Sequence, residues 1–414
     1  MADRSLATGQ RSLTAPDQTF PLSPPLTRGC PATSTDDAAY PLEVTYDYDA
    51  VDPALFAAPP RPGLDRWAPL LPPLAGPGLE AGDTPLIESR ALGDWVGIDA
   101  PIYVKDESRN PTWSQKDRLA RCLVADAVAR DAPGLVVSSS GNHGAATAAH
   151  AARADLPCVV LTDPATPGAV QAFLRRYDAA VLAVPDWETR RRAVDAIARE
   201  WGYVAASTRT APHTGHPYGP EGYKPIAYEL HHQLDAVPGT VAVPTSHAEL
   251  LFGVWKGFAE LRALGVTQST PAMVPCEPRA RGPLAAALEG GQEFRTVDPA
   301  DTAAYSIAAT QNSYRGVYTV RESDGVAATF TESQLRDAQG HLAREGLWQE
   351  ASGAGGLAGL HAAVTDHGHS LADPVVCLCT SAGFKDGETT TVPEADGDAA
   401  DVRSTLTETY DLPT

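Results

Sequence analysis

Tyr103-Val-Lys-Asp-Glu-Ser-Arg-Asn-Pro-Thr-Trp-Ser-Gln-Lys116-Asp-Arg is the stretch on which the fold of this chain is decided. Its apolar start continues a strand from Ile102, its middle is an acidic, polar turn, and Lys116 stands where a helix opens at Asp117. An amine at the first turn of a helix feels the positive end of the helix dipole, which disfavours its ammonium form. That suits a lysine that must attack an aldehyde. Taken alone, Lys116 also reads as a solvated surface side chain.

Downstream, Leu135-Val-Val-Ser138-Ser139-Ser140-Gly141-Asn142-His143-Gly144 runs from an apolar strand into small polar residues, followed by the alanine-rich run Ala145–Ala149. Hydroxyls and backbone N–H groups gathered at a helix start can receive a carboxylate or a phosphate. A plain strand-to-helix turn has the same look. Other β-rich runs fall at Ile102–Val104, Cys158–Leu161, Ala180–Val184, Val241–Val243 and Val375–Cys379. Amphipathic stretches such as Asp117–Arg130 and Trp187–Trp201 lie between several of them. Strands alternating with helices predict an α/β fold of parallel-rich, twisted sheets covered by helices.

The 414 residues suffice for two domains. Hydrophobic residues make up 43% of the chain, enough for a sizeable core. No run approaches the roughly 20 apolar residues of a membrane span. The net charge of −20, from 52 acidic against 32 basic residues, argues against nucleic acid as a partner. Met1-Ala2-Asp3-Arg4-Ser5 lacks the apolar core of a secretory signal, so a cytoplasmic location is expected. Cys30, Cys122, Cys158, Cys276, Cys377 and Cys379 form no C-x-x-C pair and are expected as buried free thiols. Residues 1–80, rich in Pro and Gly, are expected to form an extended arm with one short strand at Leu42–Tyr46. Residues 388–414 form an acidic, Thr-rich tail expected to be largely mobile.

Lys116 within N-P-T-W-S-Q-K-D-R, followed by S-S-S-G-N-H-G, resembles the threonine synthases and, more widely, the tryptophan synthase β-like (fold-type II) pyridoxal-phosphate enzymes. The match continues in order through Gly82-Asp-Thr-Pro-Leu-Ile, Glu221-Gly-Tyr-Lys, Val243-Pro-Thr-Ser-His-Ala-Glu-Leu-Leu-Phe-Gly-Val-Trp-Lys-Gly-Phe258 and Thr380-Ser-Ala-Gly-Phe-Lys-Asp386. Tyr40-Pro-Leu-Glu-Val-Thr-Tyr-Asp-Tyr is similar to the N-terminal segment of the same enzymes. The resemblance implies two α/β domains with pyridoxal 5'-phosphate in the cleft between them. The large domain would comprise residues 81–115 and 215–387, the small one residues 116–214. It also implies an amino-acid substrate and, as relatives are often dimers, a homodimer; from the lack of a long apolar run, no membrane partner is expected.

Carried over by position, the resemblance makes Lys116 the lysine that holds the cofactor and moves the Cα proton. Asn142 would meet the cofactor's phenolic oxygen, and Thr380 its pyridine nitrogen. A hydroxyl at that nitrogen leaves it unprotonated, which suits elimination and replacement chemistry. Ser139, Ser140, Gly141 and His143 would receive the substrate carboxylate. Thr245, Ser246, His247 and Ala248 would hold the cofactor phosphate, and His213 and Thr214 would face the substrate side chain. No metal is expected.

The chain also departs from the family pattern. Relatives usually carry a Gly/Asn-rich run where Ser246-His247-Ala248-Glu249-Leu250 stands here. A carboxylate near a phosphate is unfavourable, so either Glu249 points away as a first-turn acid or the cofactor is held differently. Threonine synthases carry N-S-x-N-P-[FY]-R-x-E-G-Q-K where this chain has His213-Thr-Gly-His-Pro-Tyr-Gly219-Pro-Glu-Gly-Tyr-Lys224. Gly219 in place of the arginine weakens the case for a phosphorylated substrate. Trp113 and Gln115 stand where Gly and Phe are usual, reshaping the wall beside the lysine. His143, His213, His216 and His247 fall in loops expected to face the cofactor, as hydrogen-bonding or acid/base groups. The function implied is a β- or γ-elimination or replacement by a threonine synthase-like enzyme with altered substrate. Threonine synthase acting on O-phosphohomoserine, a serine/threonine dehydratase or ammonia-lyase, and a non-catalytic ligand-binding relative stay open.

Overall fold

The computed structural model describes residues 4–35, 37–57, 59, 61–387, 392–395, 397 and 399–410. A six-stranded sheet runs in the order Ala328–Phe330, Ala272–Pro278, Thr240–Pro244, Val375–Cys379, Ile102–Asp106, Leu86–Ser89. Its neighbours are parallel except Leu86–Ser89, which is antiparallel to Ile102–Asp106. A four-stranded sheet, parallel throughout, follows the order Ala180–Ala183, Cys158–Thr162, Leu135–Ser138, Val204–Ala205. The α/β class expected from the alternation of strands and helices is therefore the one observed. Thr240–Pro244 and Val375–Cys379 are buried at every residue, as parallel strands covered on both faces must be. All six cysteines are buried and free.

Local chemistry sets the helices. Asp186 accepts the Thr189 N–H to cap Trp187–Glu200, and Thr331 with Gln334 forms a reciprocal capping box at Glu332–Arg344. The helix Ala351–Thr365 is almost wholly buried against the larger sheet, and its small residues permit the close approach. A Cβ added at Gly359 would stand 2.3 Å from Cys276 Sγ, and one at Gly356 would stand 2.9 Å from the Leu378 carbonyl oxygen.

The described residues among 1–80 hold more regular structure than the expected arm. Leu42–Tyr46 is a strand, but it pairs with Ala7–Ser12, which pairs in turn with Thr19–Phe20, in a three-stranded antiparallel sheet. Proline and glycine announce turns here; they do not report the buried contacts that tie the segment down. The buried Gln10 amide donates to the Pro21 and Pro24 carbonyls and accepts the Leu26 N–H. Lys256 Nζ lies 2.7 Å from Glu221, and Lys224 Nζ lies 2.8 Å from both Glu221 and Glu260. The Tyr46 hydroxyl donates to Glu221 at 2.9 Å, so this buried ion cluster docks the arm sheet. Burial raises the Glu221 carboxyl, but the two ammonium groups outweigh it and hold its pKa at about 2.

Part of the tail, residues 388–391, 396, 398 and 411–414, lies outside the described residues. Ala399–Tyr410 forms a helix with no buried residue. Among the described residues no helix is long and apolar enough to cross a membrane.

Candidate active site

Ligands of open α/β sheets bind where loops leave the carboxyl ends of parallel strands. Ile102–Asp106 leads to Lys116, which opens the helix Lys116–Ala129. Leu135–Ser138 leads to the turn before the helix Asn142–Arg153, Thr240–Pro244 to the turn before the helix Glu249–Ala263, and Val375–Cys379 to Thr380. These loops meet around a cavity of about 700 Å³ whose wall includes Lys116, Asn142, His213, His247, Glu350 and Thr380. Ser139, Ser140, Gly141, His143, Thr245, Ser246 and Ala248 also lie on it.

Two turns on this wall present unpaired backbone donors. Among the described residues, the N–H groups of Ser140, Asn142, His143 and Gly144 have no hydrogen-bond partner, nor do those from Ser246 through Leu251. Both turns lead into a helix, where N–H groups lack intrahelical acceptors and the dipole favours an anion. The second keeps this cradle despite its unusual side chains. Its Ala248 takes a left-handed φ of 58°, a conformation that glycine adopts at least cost.

Lys116 is half-buried, and its amine has no hydrogen-bond or ion-pair partner among the described residues. The Tyr223 ring lies 5.9 Å away. Burial lowers the pKa of this amine, with the charge of Glu249 acting the other way. The rings of His213 and His247 stack, with centroids 4.0 Å apart and planes 11° from parallel. Burial, together with the charges of Arg315 and Lys116, pulls His213 down to about 3. Burial and Lys116 bring His143 to about 3 as well, and burial and His213 lower His247. Near neutral pH these imidazoles are uncharged hydrogen-bonding groups.

Asn142 is held at both ends of its amide. Nδ2 donates to Glu350 Oε1 at 2.8 Å, while Oδ1 accepts from Lys385 Nζ at 2.6 Å and from Ser381 Oγ at 3.1 Å. Burial drives the Glu350 carboxyl up and the Lys385 ammonium down, so each is pushed toward its neutral form. Neither was singled out from sequence. Lys385 stands inside the Thr380–Asp386 run, so a signal was there; Glu350 opens a helix of small residues and carried none.

Several expected residues are placed differently. Thr214 turns from the cavity, its Oγ1 3.1 Å from Thr210 Oγ1 and 3.2 Å from the Thr27 carbonyl. His216 lies off the wall, its Nε2 3.4 Å from Asp126 and its Nδ1 accepting the Tyr218 N–H. Trp113 points outward, edge-on to Phe384, while Gln115 lines the cavity. Gly219 is also off the wall, packed so that an added Cβ would stand 3.1 Å from Leu119 Cδ1. Glu249 does not point away as a first-turn acid would: it lines the cavity, over Gly215.

Unmet polar atoms gather at the same place. Gln115 Oε1, His143 Nε2, His213 Nδ1 and Glu350 Oε2 are buried without a partner, and all four residues line the cavity. Such atoms are costly unless a ligand meets them. Among the described residues no group of three or more His, Cys, Asp or Glu could hold a metal ion.

A family model described as pyridoxal-phosphate dependent enzyme matches residues 78–381. The chain is 32% identical over 359 residues to the threonine synthase of Methanosarcina acetivorans, covering 84% of this chain and 86% of that protein. It is 29% identical over 361 residues to the threonine synthase of Methanocaldococcus jannaschii, covering 83% and 87% respectively. Among solved structures, maize serine racemase matches with a TM-score of 0.62 at 20% identity, over 79% of this chain and 93% of that one, a likeness of fold.

Proposed function

The chain is a threonine synthase-like member of the fold-type II pyridoxal-phosphate-dependent enzymes, which act on amino acids, and from that premise we propose that it carries out a β- or γ-elimination or replacement on an amino acid other than O-phosphohomoserine. Its residues fit the cofactor. The unpaired N–H groups from Ser246 to Leu251 would hold the phosphate, Lys116 the aldehyde carbon, Asn142 the phenolic oxygen and Thr380 the pyridine nitrogen. When bound, pyridoxal phosphate supplies a sink for the electrons left at the substrate Cα.

The protein's own groups do the rest. The N–H groups of Ser140, Asn142, His143 and Gly144 bind the substrate carboxylate and fix the direction of the Cα–H bond. Lys116, its basicity moderated by burial, takes the Cα proton and returns it. Gln115 and His143 close the wall beside the lysine and exclude water. The observation that carries the reading is the hydroxyl of Thr380 on the cavity wall at the end of Val375–Cys379. A hydroxyl does not protonate a pyridine nitrogen, so a bound cofactor would draw less negative charge away from the substrate Cα, which favours departure of a leaving group from the side chain.

Lys116→Ala tests the assignment. The expected protein folds, binds the cofactor only reversibly and loses turnover on every amino acid tried. Full-stoichiometry trapping of the cofactor by borohydride in that variant would exclude Lys116 as its attachment point.

A further inference from the structure

The cavity contains one carboxylate whose orientation the fold has made room for. Glu249 stands in the first turn of its helix, lines the cavity, and has no hydrogen-bond or ion-pair partner among the described residues. Its side chain lies where a neighbour's would otherwise be: a Cβ on Gly215 would stand 2.0 Å from Glu249 Oε1 and 3.2 Å from His213 Cε1. Gly215 has φ of 62°, so this backbone also favours glycine. The carboxylate, the bare backbone opposite it and the stacked His213–His247 pair therefore form one corner of the cavity.

The arginines on and behind the wall are already engaged. Arg190 lies 3.0 Å from Asp163, and Arg191 grips Glu188 with both Nε and Nη2. Arg281 spends Nε and Nη1 on the Ala300 and Ala308 carbonyls. Arg315, behind the corner, donates Nη1 to the Thr214 carbonyl and Nη2 to the Leu42 carbonyl. No guanidinium fork is left whole for a phosphate. The histidines are neutral, and one of them, His213, carries a buried Nδ1 with nothing to meet it. Lys116 would be taken up by the cofactor aldehyde, and a cofactor phosphate would add negative charge. What the corner lacks is a cation with several N–H donors.

We propose that Glu249, flanked by His213 and His247, is the specificity determinant that receives the far end of the substrate side chain, and that the substrate class is an α-amino acid bearing a second, side-chain ammonium. This assignment rests on the proposed function and narrows it. An ammonium offers three donors and no acceptor, matching a carboxylate and an imidazole nitrogen. A phosphate or carboxylate in the same place would face Glu249 directly, and like charges in a part-buried site repel strongly.

The test uses the cofactor-loaded protein. Dissociation constants for 2,3-diaminopropionate, 2,4-diaminobutyrate, serine, homoserine and O-phosphohomoserine are measured by calorimetry and by the change in cofactor absorbance. In the wild type each diamino acid is expected to bind about 10- to 100-fold more tightly than its hydroxy counterpart, the size of one charge-assisted hydrogen bond. Glu249→Gln, compared at measured cofactor content, is expected to bring that ratio to within about threefold. Gly215→Ala, which pushes the carboxylate out of the corner, is expected to do the same. A wild-type ratio near one, or a ratio that survives in Glu249→Gln, would overturn the assignment. If no amino acid perturbs a cofactor that Lys116 demonstrably holds, the proposed function itself fails, and the role of Glu249 with it.

Discussion

The place of Thr380 and Lys116 on the cavity wall was legible from sequence, because each sits at a fixed offset from a strand end and ordered motifs record such offsets. Thr380→Asp is therefore a residue-scale prediction with a definite sign. A carboxylate beside the pyridine nitrogen keeps it protonated and over-stabilises charge at Cα. The variant is expected to bind cofactor but to lose on the order of 10- to 100-fold in elimination rate, with more transamination among its products. Unchanged rate and product distribution would remove Thr380 from the nitrogen. A second residue-scale prediction keeps its outcome but changes its reason. O-phosphohomoserine is expected to be a poor substrate near neutral pH. Sequence pointed to Gly219 in an arginine's place, yet Gly219 is packed near Leu119 and off the cavity wall. The structural reason is that the engaged arginines, the neutral histidines and Glu249 leave little to hold a dianion. Conversion to threonine with kcat/KM above about 10⁴ M⁻¹s⁻¹, within the ordinary enzyme range, would mark a plain threonine synthase instead. Glu249's direction, Glu350 and Lys385 were not legible, because each depends on which distant backbone leaves space or supplies a partner.

At the scale of elements, periodicity and turn chemistry located strands such as Leu135–Ser138 and Val375–Cys379, whose apolar runs are unambiguous. The arm sheet was legible only at Leu42–Tyr46. Its partner Ala7–Ser12 is polar, and its stability comes from docking rather than from its own pattern. Glu221-Gly-Tyr-Lys224 was noticed as part of a family motif, yet in the structure Glu221 and Lys224 form the buried anchor of that arm. Glu221→Gln removes one partner of a buried ion cluster and leaves Lys224 and Lys256 under-compensated. The expected loss is about 3–5 kcal/mol, seen as a lower melting temperature and as early proteolysis within residues 4–46. The acid dependence follows the same group. Its folded pKa of about 2 lies below the ordinary 4.5, so its contribution is complete above 4.5 and disappears as pH falls toward 2. If the arm stays protease-resistant and melting is unchanged in Glu221→Gln, the cluster does not anchor it.

For the molecule as a whole, surface repulsion and buried titrating groups act on stability in acid with different signs. The net charge of −20 repels itself in the compact state, so protonating surface carboxylates relieves strain as pH falls. His143 and His213 work the other way. Their folded pKa values of about 3 lie below the ordinary 6.5. Between those limits the unfolded chain binds protons that the folded chain refuses, so these two groups remove stability as pH drops from 6.5, while the buried Glu277 and Glu350 carboxyls, raised to about 7, add it over the same range. Salt separates the two, because at about 1 M the Debye length is roughly 3 Å and surface repulsion is screened while buried sites are not. Melting of the cofactor-loaded protein near neutral pH is therefore expected to rise with salt. At high salt, lowering the pH from 6.5 toward 4.5 should cost the wild type more stability than the double variant His143→Asn, His213→Asn, since an amide keeps hydrogen bonding but cannot titrate. An equal change with pH in wild type and variant would show that these imidazoles are not held neutral by the fold, and the uncharged state of the histidines on the cavity wall would have to be abandoned with it.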